Sequence, residues 1–337
     1  MSEKLFIQNL VQSSIEKKKI KTCKVVDVDR LTGDASTRRY YRVFTKDETY
    51  VVCIDNPMDA GENPFVQIQS FLADKKIRVP QIFDKQVSMG YLLEEDLGDT
   101  TLLSHLAQVD DVQGEYHIYQ QTLDIILDLH KIPQEESKNS GHFSLSFDTE
   151  KFMSEIDFSL KYFLGSFLGV KDESLFNSLR EMFSPVCDNL SKPKKVITHR
   201  DFHSRNIMVK NSEMILIDFQ DARWGLPQYD LVSMLEDCYY EIESENKLKL
   251  IEYYYNNLPS EIHQQGSLEQ FKTLYNDMLI QRVFKAVGSF SYIYDLRSDK
   301  RYLKYIAFGM EKIKKVLLAN DQHKELRKLL FKHYYEN

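Results

Sequence analysis

The chain has 337 residues, 42% of them hydrophobic and 28% charged, and its 44 Lys and Arg against 51 Asp and Glu give a formal net charge of −7. This composition excludes a disordered or collagen-like chain, and an acidic balance without a long basic cluster argues against a nucleic-acid-binding surface. No apolar run approaches the roughly 18 residues of a membrane span. The opening residues are amphipathic rather than signal-like, and the cysteines are widely spaced with no CxxC pair. A cytoplasmic protein with reduced thiols, two lobes and a large core is expected.

Leu5, Phe6, Leu10, Val11 and Ile15 recur on one face and predict a helix over residues 3–16. Lys24 to Leu31 alternates through Val26 and Val28 as a strand. Thr32 to Arg39 reads as a loop, and Tyr40 to Phe44 and Tyr50 to Ile54 read as strands around a turn at Lys46 to Glu48. The stretch LTGDASTRRYYRV holds a single glycine, Gly33. Its small residues Gly33, Ala35 and Ser36, with Asp34 between, let backbone N–H groups approach phosphate oxygens closely. Arg38, Arg39 and Arg42 add cationic charge. An ordinary hairpin with surface arginines explains the same letters taken alone. Pro57 to Pro64 breaks the pattern, and Phe65, Ile68, Phe71 and Leu72 then share a face of a helix over 65–76.

Ile82 to Val87 and Met89 to Leu93 read as strands, followed by the connection EEDLGD at 94–99 and a helix start capped by Asp99 or Thr100. Tyr116, Tyr119, Leu123, Ile126 and Leu127 mark the buried face of a long helix that ends near His130, read as a C-terminal cap. Two aromatic-rich helices are expected within 148–190, where Phe158, Tyr162 and Phe167 are core residues or a ligand platform. Residues 244–334 are helical by pattern.

Residues 196–219, VITHRDFHSRNIMVKNSEMILIDF, read as strand, polar loop, strand, turn and strand, ending in an acidic residue. Three groups at the ends of these strands suit phosphoryl transfer. Asp201 can accept a proton from an attacking hydroxyl. Asn206 offers a neutral amide oxygen to a metal, and Asp218 offers a carboxylate. Such a transfer needs in-line positioning and charge neutralisation more than covalent chemistry, so a base plus an Asn/Asp magnesium cage is sufficient. A surface hairpin with ordinary turn polars is the plain alternative.

HRD-x4-N followed by Asp-Phe is the kinase catalytic-loop pattern. HRDFHSRNIM and IDFQDARWG resemble the aminoglycoside phosphotransferase-like small-molecule kinases, a family that includes choline and sugar kinases. A protein kinase would carry Lys at His203, Gly at Gln220 and a later Ala-Pro-Glu. GDASTRRYYRV, LLEEDLGDTTL, YDLVSML and QRVFKAVGSF resemble the N-acetylmuramate/N-acetylglucosamine anomeric kinase branch, over about residues 28–310.

The resemblance implies an α+β, bilobal protein-kinase-like fold. Residues 1–94 form a small antiparallel-sheet N-lobe with an ATP phosphate loop, and residues 95–337 form a mainly helical C-lobe with the catalytic loop and acceptor site. It implies ATP and Mg2+ as cofactors, Asp201 as base, and Asn206 and Asp218 as metal ligands. Gly33, Asp34, Ala35, Ser36, Arg38 and Arg42 would serve the nucleotide, with adenine read by the main chain at Glu94, Glu95 and Leu97. Asp230 would hydrogen-bond the catalytic-loop backbone. His203, Arg205, Asp221 and Trp224 are acceptor candidates, with Gln281 and Arg282 at the border. Beside these stand a loop-holding hydrogen bond for His203, an Asp221–Arg223 ion pair and a packing role for Trp224.

A kinase lysine is missing near Cys53 to Asp55, and one of Arg38, Arg39 and Arg42 is expected to replace it. The implied acceptor is the anomeric hydroxyl of an N-acetylated amino sugar in cell-wall recycling. An aminoglycoside, choline or other small-alcohol kinase and a catalytically silent nucleotide-binding scaffold stand as alternatives. Acidic residues around the acceptor would favour a cationic substrate.

Overall fold

The computed structural model describes residues 3–22, 24–31, 38–58, 63–136 and 143–335. Its principal elements are, in chain order, α1 (Glu3–Glu16), β1 (Val25–Arg30), β2 (Arg39–Thr45), β3 (Thr49–Ile54), α2 (Pro64–Asp74), β4 (Ile82–Gln86), β5 (Tyr91–Glu95), α3 (Leu102–Leu106), α4 (Val112–His130), α5 (Thr149–Ser159) and α6 (Glu173–Ser191). They continue with β6 (Val196–Thr198), β7 (Ile207–Lys210), β8 (Glu213–Leu216), β9 (Arg223–Gly225), α7 (Pro227–Leu235), α8 (Ser244–Asn256), α9 (Leu268–Arg297), α10 (Leu303–Ala319) and α11 (Lys324–Tyr335). Contacts divide the chain into two compact units, residues 1–102 with 207–220 and residues 103–206 with 221–337.

The first unit is built on an antiparallel sheet of order β1-β2-β3-β5-β4. Ile7, Leu10 and Val11 of α1 pack with Val28, Tyr41, Val43, Tyr50, Val52, Tyr91 and Leu93 in one apolar core. Side chains alternate across a strand, so Tyr40, Arg42, Val51, Cys53 and Glu94 turn to the opposite face. The expected alternation in β1 fails at Val26, which is 65% exposed because a register shift between Val25 and Asp27 turns Val25 and Val28 inward. Pro64 starts α2 rather than ending a break. Asn63 accepts from the Val66 N–H at 3.2 Å, and a proline in the first turn lacks only an N–H that would go unpaired there.

The β7–β8 hairpin turns at Asn211 and Ser212, both with positive φ. It closes onto the first unit through main-chain bonds, Val209 N to Thr100 O at 2.8 Å and Leu216 N to Arg78 O at 3.0 Å.

The second unit is organised on α9, a 30-residue helix opened by a capping box of Ser267 and Gln270. It packs against α5, α6, α7 and α10. Its approach to α5 is close: a Cβ at Gly288 would stand 2.6 Å from the Ser159 Cα. β6 pairs with β9, Ile197 opposite Trp224. The His130 imidazole does not cap its own helix. Its Nδ1–H donates to the Ile197 carbonyl at 2.9 Å and so ties α4 to β6. Burial drives its pKa down to about 3 and keeps it neutral. No helix among the described residues is long and apolar enough to cross a membrane.

Candidate active site

The three residues of β6 are buried and deliver the chain into the loop His199 to Asn206. Arg200 stands at φ 80°, a left-handed conformation that an arginine rarely adopts. Asp230, wholly buried in the first turn of α7, holds it there. Its carboxylate accepts from His199 N at 2.7 Å and from Arg200 N at 3.0 Å. Burial lifts the Asp230 pKa to about 7, against the pull of these two N–H groups. Asp237, beyond α7, accepts from Ser204 N at 3.0 Å and from the Ser204 hydroxyl. Two buried carboxylates therefore pin the loop at both ends. The Asn206 amide nitrogen donates to the Asp201 carbonyl at 3.0 Å, which fixes which end of the amide faces the loop.

The Asp201 side chain is 25% exposed and meets two cations from α9. Oδ1 accepts from the Arg282 guanidinium at 3.2 Å and from Lys285 Nζ at 3.4 Å. Burial alone would raise the Asp201 pKa, but Lys285, Arg282 and Arg200 outweigh it and hold the carboxyl well below the usual range. Arg282 is itself fixed, donating to the Ser233 hydroxyl at 3.0 Å and lying over the Tyr229 ring. Asp201 borders a cavity of about 130 Å³ lined also by His203, Ser233, Tyr239, Lys285 and Ser289. A carboxylate whose neighbouring cations favour its ionised form is suited to orienting a hydroxyl and taking its proton late in the reaction.

His203 and Arg205 both contact Tyr239, the imidazole edge-on at 5.4 Å and the guanidinium over the ring at 4.9 Å. Asp221 is half-exposed and pairs chiefly with Arg200 at 2.8 Å, with Arg223 further away at 3.8 Å. Trp224 does not offer a stacking face to an acceptor. It is buried in β9, and its indole N–H donates to the Phe143 carbonyl at 3.2 Å. Gln281 is also buried, donating to Glu155.

In the first unit, Asp218 is exposed at φ 64° and accepts from Gln220 Nε2 at 2.8 Å. Phe219 beside it is buried and stacked on Phe65 of α2 at 4.8 Å. Gly33, Asp34, Ala35 and Ser36 lie outside the described residues. Of the three arginines, Arg39 pairs with Glu3 at the surface. Arg42 forks onto Asp96 and Asp99, two carboxylates on one guanidinium. Arg38 pairs with Asp55 at 2.8 Å and lies over the Phe65 ring. Glu94 and Glu95 belong to β5 rather than to a connecting segment. Glu94 stands between Val51 and Ile82 in the sheet, and Glu95 N donates to Gln81 O. Leu97 follows the strand and is buried. Glu94 turns its side chain inward, and burial pushes its pKa up to about 7, with Arg38 opposing.

A family model described as "Phosphotransferase enzyme family" matches residues 27–261, more than half of the chain. The chain belongs to this family. It is a small-molecule kinase. Among its relatives is a protein of Neisseria meningitidis serogroup B named N-acetylmuramate/N-acetylglucosamine kinase, 28% identical over 82% of this chain and 81% of that one. A Pseudomonas aeruginosa protein of the same name is 27% identical over 81% of this chain and 78% of its own.

Solved structures carry the same kinase-like α+β fold. Aminoglycoside phosphotransferase APH(2'')-Ib aligns with a TM-score of 0.61 at 17% identity over 94% of this chain and 98% of that one. A choline kinase of Streptococcus pneumoniae aligns at 0.59 and 14% identity over 92% and 99%.

Two residues of this phosphotransferase's site escape motif reading. Lys285 stands 84 positions from Asp201 and Asp237 stands 33 from Ser204. A signal for the first exists in the letters. Arg282 and Lys285 share a face of an otherwise buried helix and have no acidic residue one turn away in either direction.

Proposed function

We propose that this phosphotransferase moves the γ-phosphoryl group of ATP, with Mg2+, onto the anomeric hydroxyl of N-acetylmuramate or N-acetylglucosamine, in cytoplasmic recycling of cell-wall sugars. The observation that carries the acceptor class is the cation pair on Asp201. An aminoglycoside or choline would bring further positive charge against Arg282 and Lys285, whereas a neutral or anionic sugar does not. Relatives that carry the amino-sugar kinase name over most of both chains support the same reading.

In this scheme Asp201 accepts a hydrogen bond from the anomeric hydroxyl and takes its proton as the bond to phosphorus forms. That hydroxyl is more acidic than an ordinary alcohol, so a carboxylate of low basicity suffices. Asn206 and Asp218 would hold magnesium by donor chemistry, one through an amide oxygen and the other through a carboxylate. The ion, when bound, neutralises phosphate charge. Gly33 to Ser36, outside the described residues, would serve the phosphates, and the main chain around Leu97 would read the base.

Arg38 replaces the absent strand lysine. It pairs with Asp55 at the end of β3 and rests on the Phe65 that packs Phe219, next to Asp218. Arg38→Ala is expected to raise the KM for ATP about tenfold or more, the worth of a charge-assisted hydrogen bond. An unchanged KM removes Arg38 from the site.

Phosphorus and proton NMR with Mg-ATP and a panel of the two sugars, choline and an aminoglycoside tests the function. A sugar phosphate whose anomeric proton couples to phosphorus is the expected product. Turnover of choline or the aminoglycoside alone replaces the acceptor, and ATP binding without any product favours a silent scaffold.

A further inference from the structure

Lys285 is an ammonium in an unusual position. Its side chain is only 16% exposed, and among the described residues its one hydrogen-bond partner is Asp201 Oδ1, at 3.4 Å. An ammonium carries three donors, and 3.4 Å is beyond the ordinary range for such a bond. Arg282 competes for the same carboxylate oxygen. Two cations thus share one anionic oxygen, and burial lowers the Lys285 pKa while Asp201 supports its charge.

The other carboxylates on the cavity wall do not relieve this. Glu236 is paired with Lys247 at 2.9 Å and Lys312 at 3.4 Å and accepts from Tyr275. Asp237 is occupied by Ser204 and the Tyr239 N–H. Of the two cations on the cavity wall, Lys285 is thus the one with the weaker set of partners, and it stands next to the Ser289 and Tyr239 side chains.

Resting on the amino-sugar reading above, we infer that Lys285 receives a carboxylate carried by the acceptor, and so makes the enzyme prefer a lactyl-substituted amino sugar to its unsubstituted parent. The substituent on the 3-oxygen of N-acetylmuramate supplies that carboxylate, and N-acetylglucosamine lacks it. A neutral sugar leaves the ammonium with its single long bond to Asp201, so it binds without gaining the ion pair. Lys285 is a specificity residue in this scheme; the proton transfer stays with Asp201.

Calorimetric titration of the full-length protein with each sugar, without nucleotide, tests the assignment in wild type, Lys285→Gln and Lys285→Arg. Melting temperatures of the three establish that each is folded. Wild type is expected to bind N-acetylmuramate roughly 10- to 100-fold more tightly than N-acetylglucosamine, as a partly buried charge-assisted hydrogen bond implies. The ratio should collapse toward one in Lys285→Gln and recover in Lys285→Arg.

Equal affinities in wild type overturn the inference, as does a ratio that Lys285→Gln leaves unchanged. If Lys285 instead serves the transferred phosphoryl group, the substitution lowers turnover of both sugars alike and the binding ratio does not move, which also overturns it. Failure of wild type to bind or phosphorylate either sugar defeats the amino-sugar reading itself, a result distinct from binding both sugars equally.

Discussion

At the scale of single residues the site turns on how Asp201 is kept charged. A base near the operating pH is the usual optimum, yet here three cations hold the carboxyl far from it. On the proposed reading its value lies in accepting a hydrogen bond and steering an oxygen toward phosphorus. Asp201→Asn keeps the shape and an acceptor oxygen but removes the charge and the capacity to take the proton, so kcat should fall roughly 10²- to 10⁴-fold while the KM for ATP stays nearly unchanged. The sign of the pH dependence follows from the depressed pKa. Asp201 is charged at every pH above the ordinary carboxylate value of about 4, and its contribution is lost only as pH falls below that.

No acid limb from Asp201 should therefore appear in kcat/KM between pH 5 and 8. A limb in that window that disappears in the Asn variant would show the base titrating where the cations forbid it. Asp201 stood out as a candidate because HRD-x4-N packs its polar groups into one short loop. Arg282 was placed only at the border of the acceptor site, and its contact with Asp201, like that of Lys285, was not readable: the two reach Asp201 from 81 and 84 positions downstream, and no local rule connects that helix to the loop.

The element that makes this long-range contact is α9, and its placement depends on a missing side chain. Gly288 lies one turn after Lys285, where α9 meets the end of α5. An added methyl group would sit 2.3 Å from the Ser159 hydroxyl oxygen and 2.6 Å from its Cα, and backbone cannot step aside as a flexible side chain does. Gly288→Ala is ordinarily a favourable change inside a helix, by about 1 kcal/mol. Here the overlap should reverse the sign and cost about 1–3 kcal/mol. The helix shift should also move Lys285 and Arg282 away from Asp201, so kcat should fall together with the melting temperature. A variant that melts higher and turns over normally would mean that α5 yields and that the close crossing is unimportant.

Helix and strand positions themselves were largely legible, because hydrophobic period and turn residues are local signals. The failures share a cause. Val26 was misassigned through a bulge that only the β2 partner imposes, and Glu94 and Glu95 were read as part of the connection EEDLGD although β5 runs to Glu95. Glu95 can stand in the strand because Arg78 and Lys210, both distant in sequence, take its charge.

For the whole molecule, order along the chain and membership of a folding unit diverge. The first unit takes residues 1–102 and then 207–220, so the chain leaves it, builds most of the second unit and returns. The returning hairpin is structural. It supplies Leu216 N to the Arg78 carbonyl, Val209 N to the Thr100 carbonyl, Lys210 to Glu95, Glu213 to Arg78, and the Phe219 ring that covers Phe65. A fragment ending at residue 102 loses all of these together. Phe65 loses its stacking partner, Glu95 keeps only Arg78, and the carbonyls of Arg78, Asp96 and Thr100 lose donors.

Such a fragment should therefore melt without a cooperative transition, and a cut at 94, inside β5, should be worse. The remedy is specific. Thr101 and Met208 are bridge partners, so a short Gly/Ser linker can join Leu102 to Ile207 and restore the hairpin in place. Far-ultraviolet melting and amide-proton dispersion should show a folded domain for the joined fragment and a disordered one for residues 1–102 alone. Equal cooperativity in the two would show that α1 and the five-stranded sheet fold without the hairpin. In that case the return of the chain at 207–220 would serve the position of Asp218 alone, and not the stability of the unit that carries it.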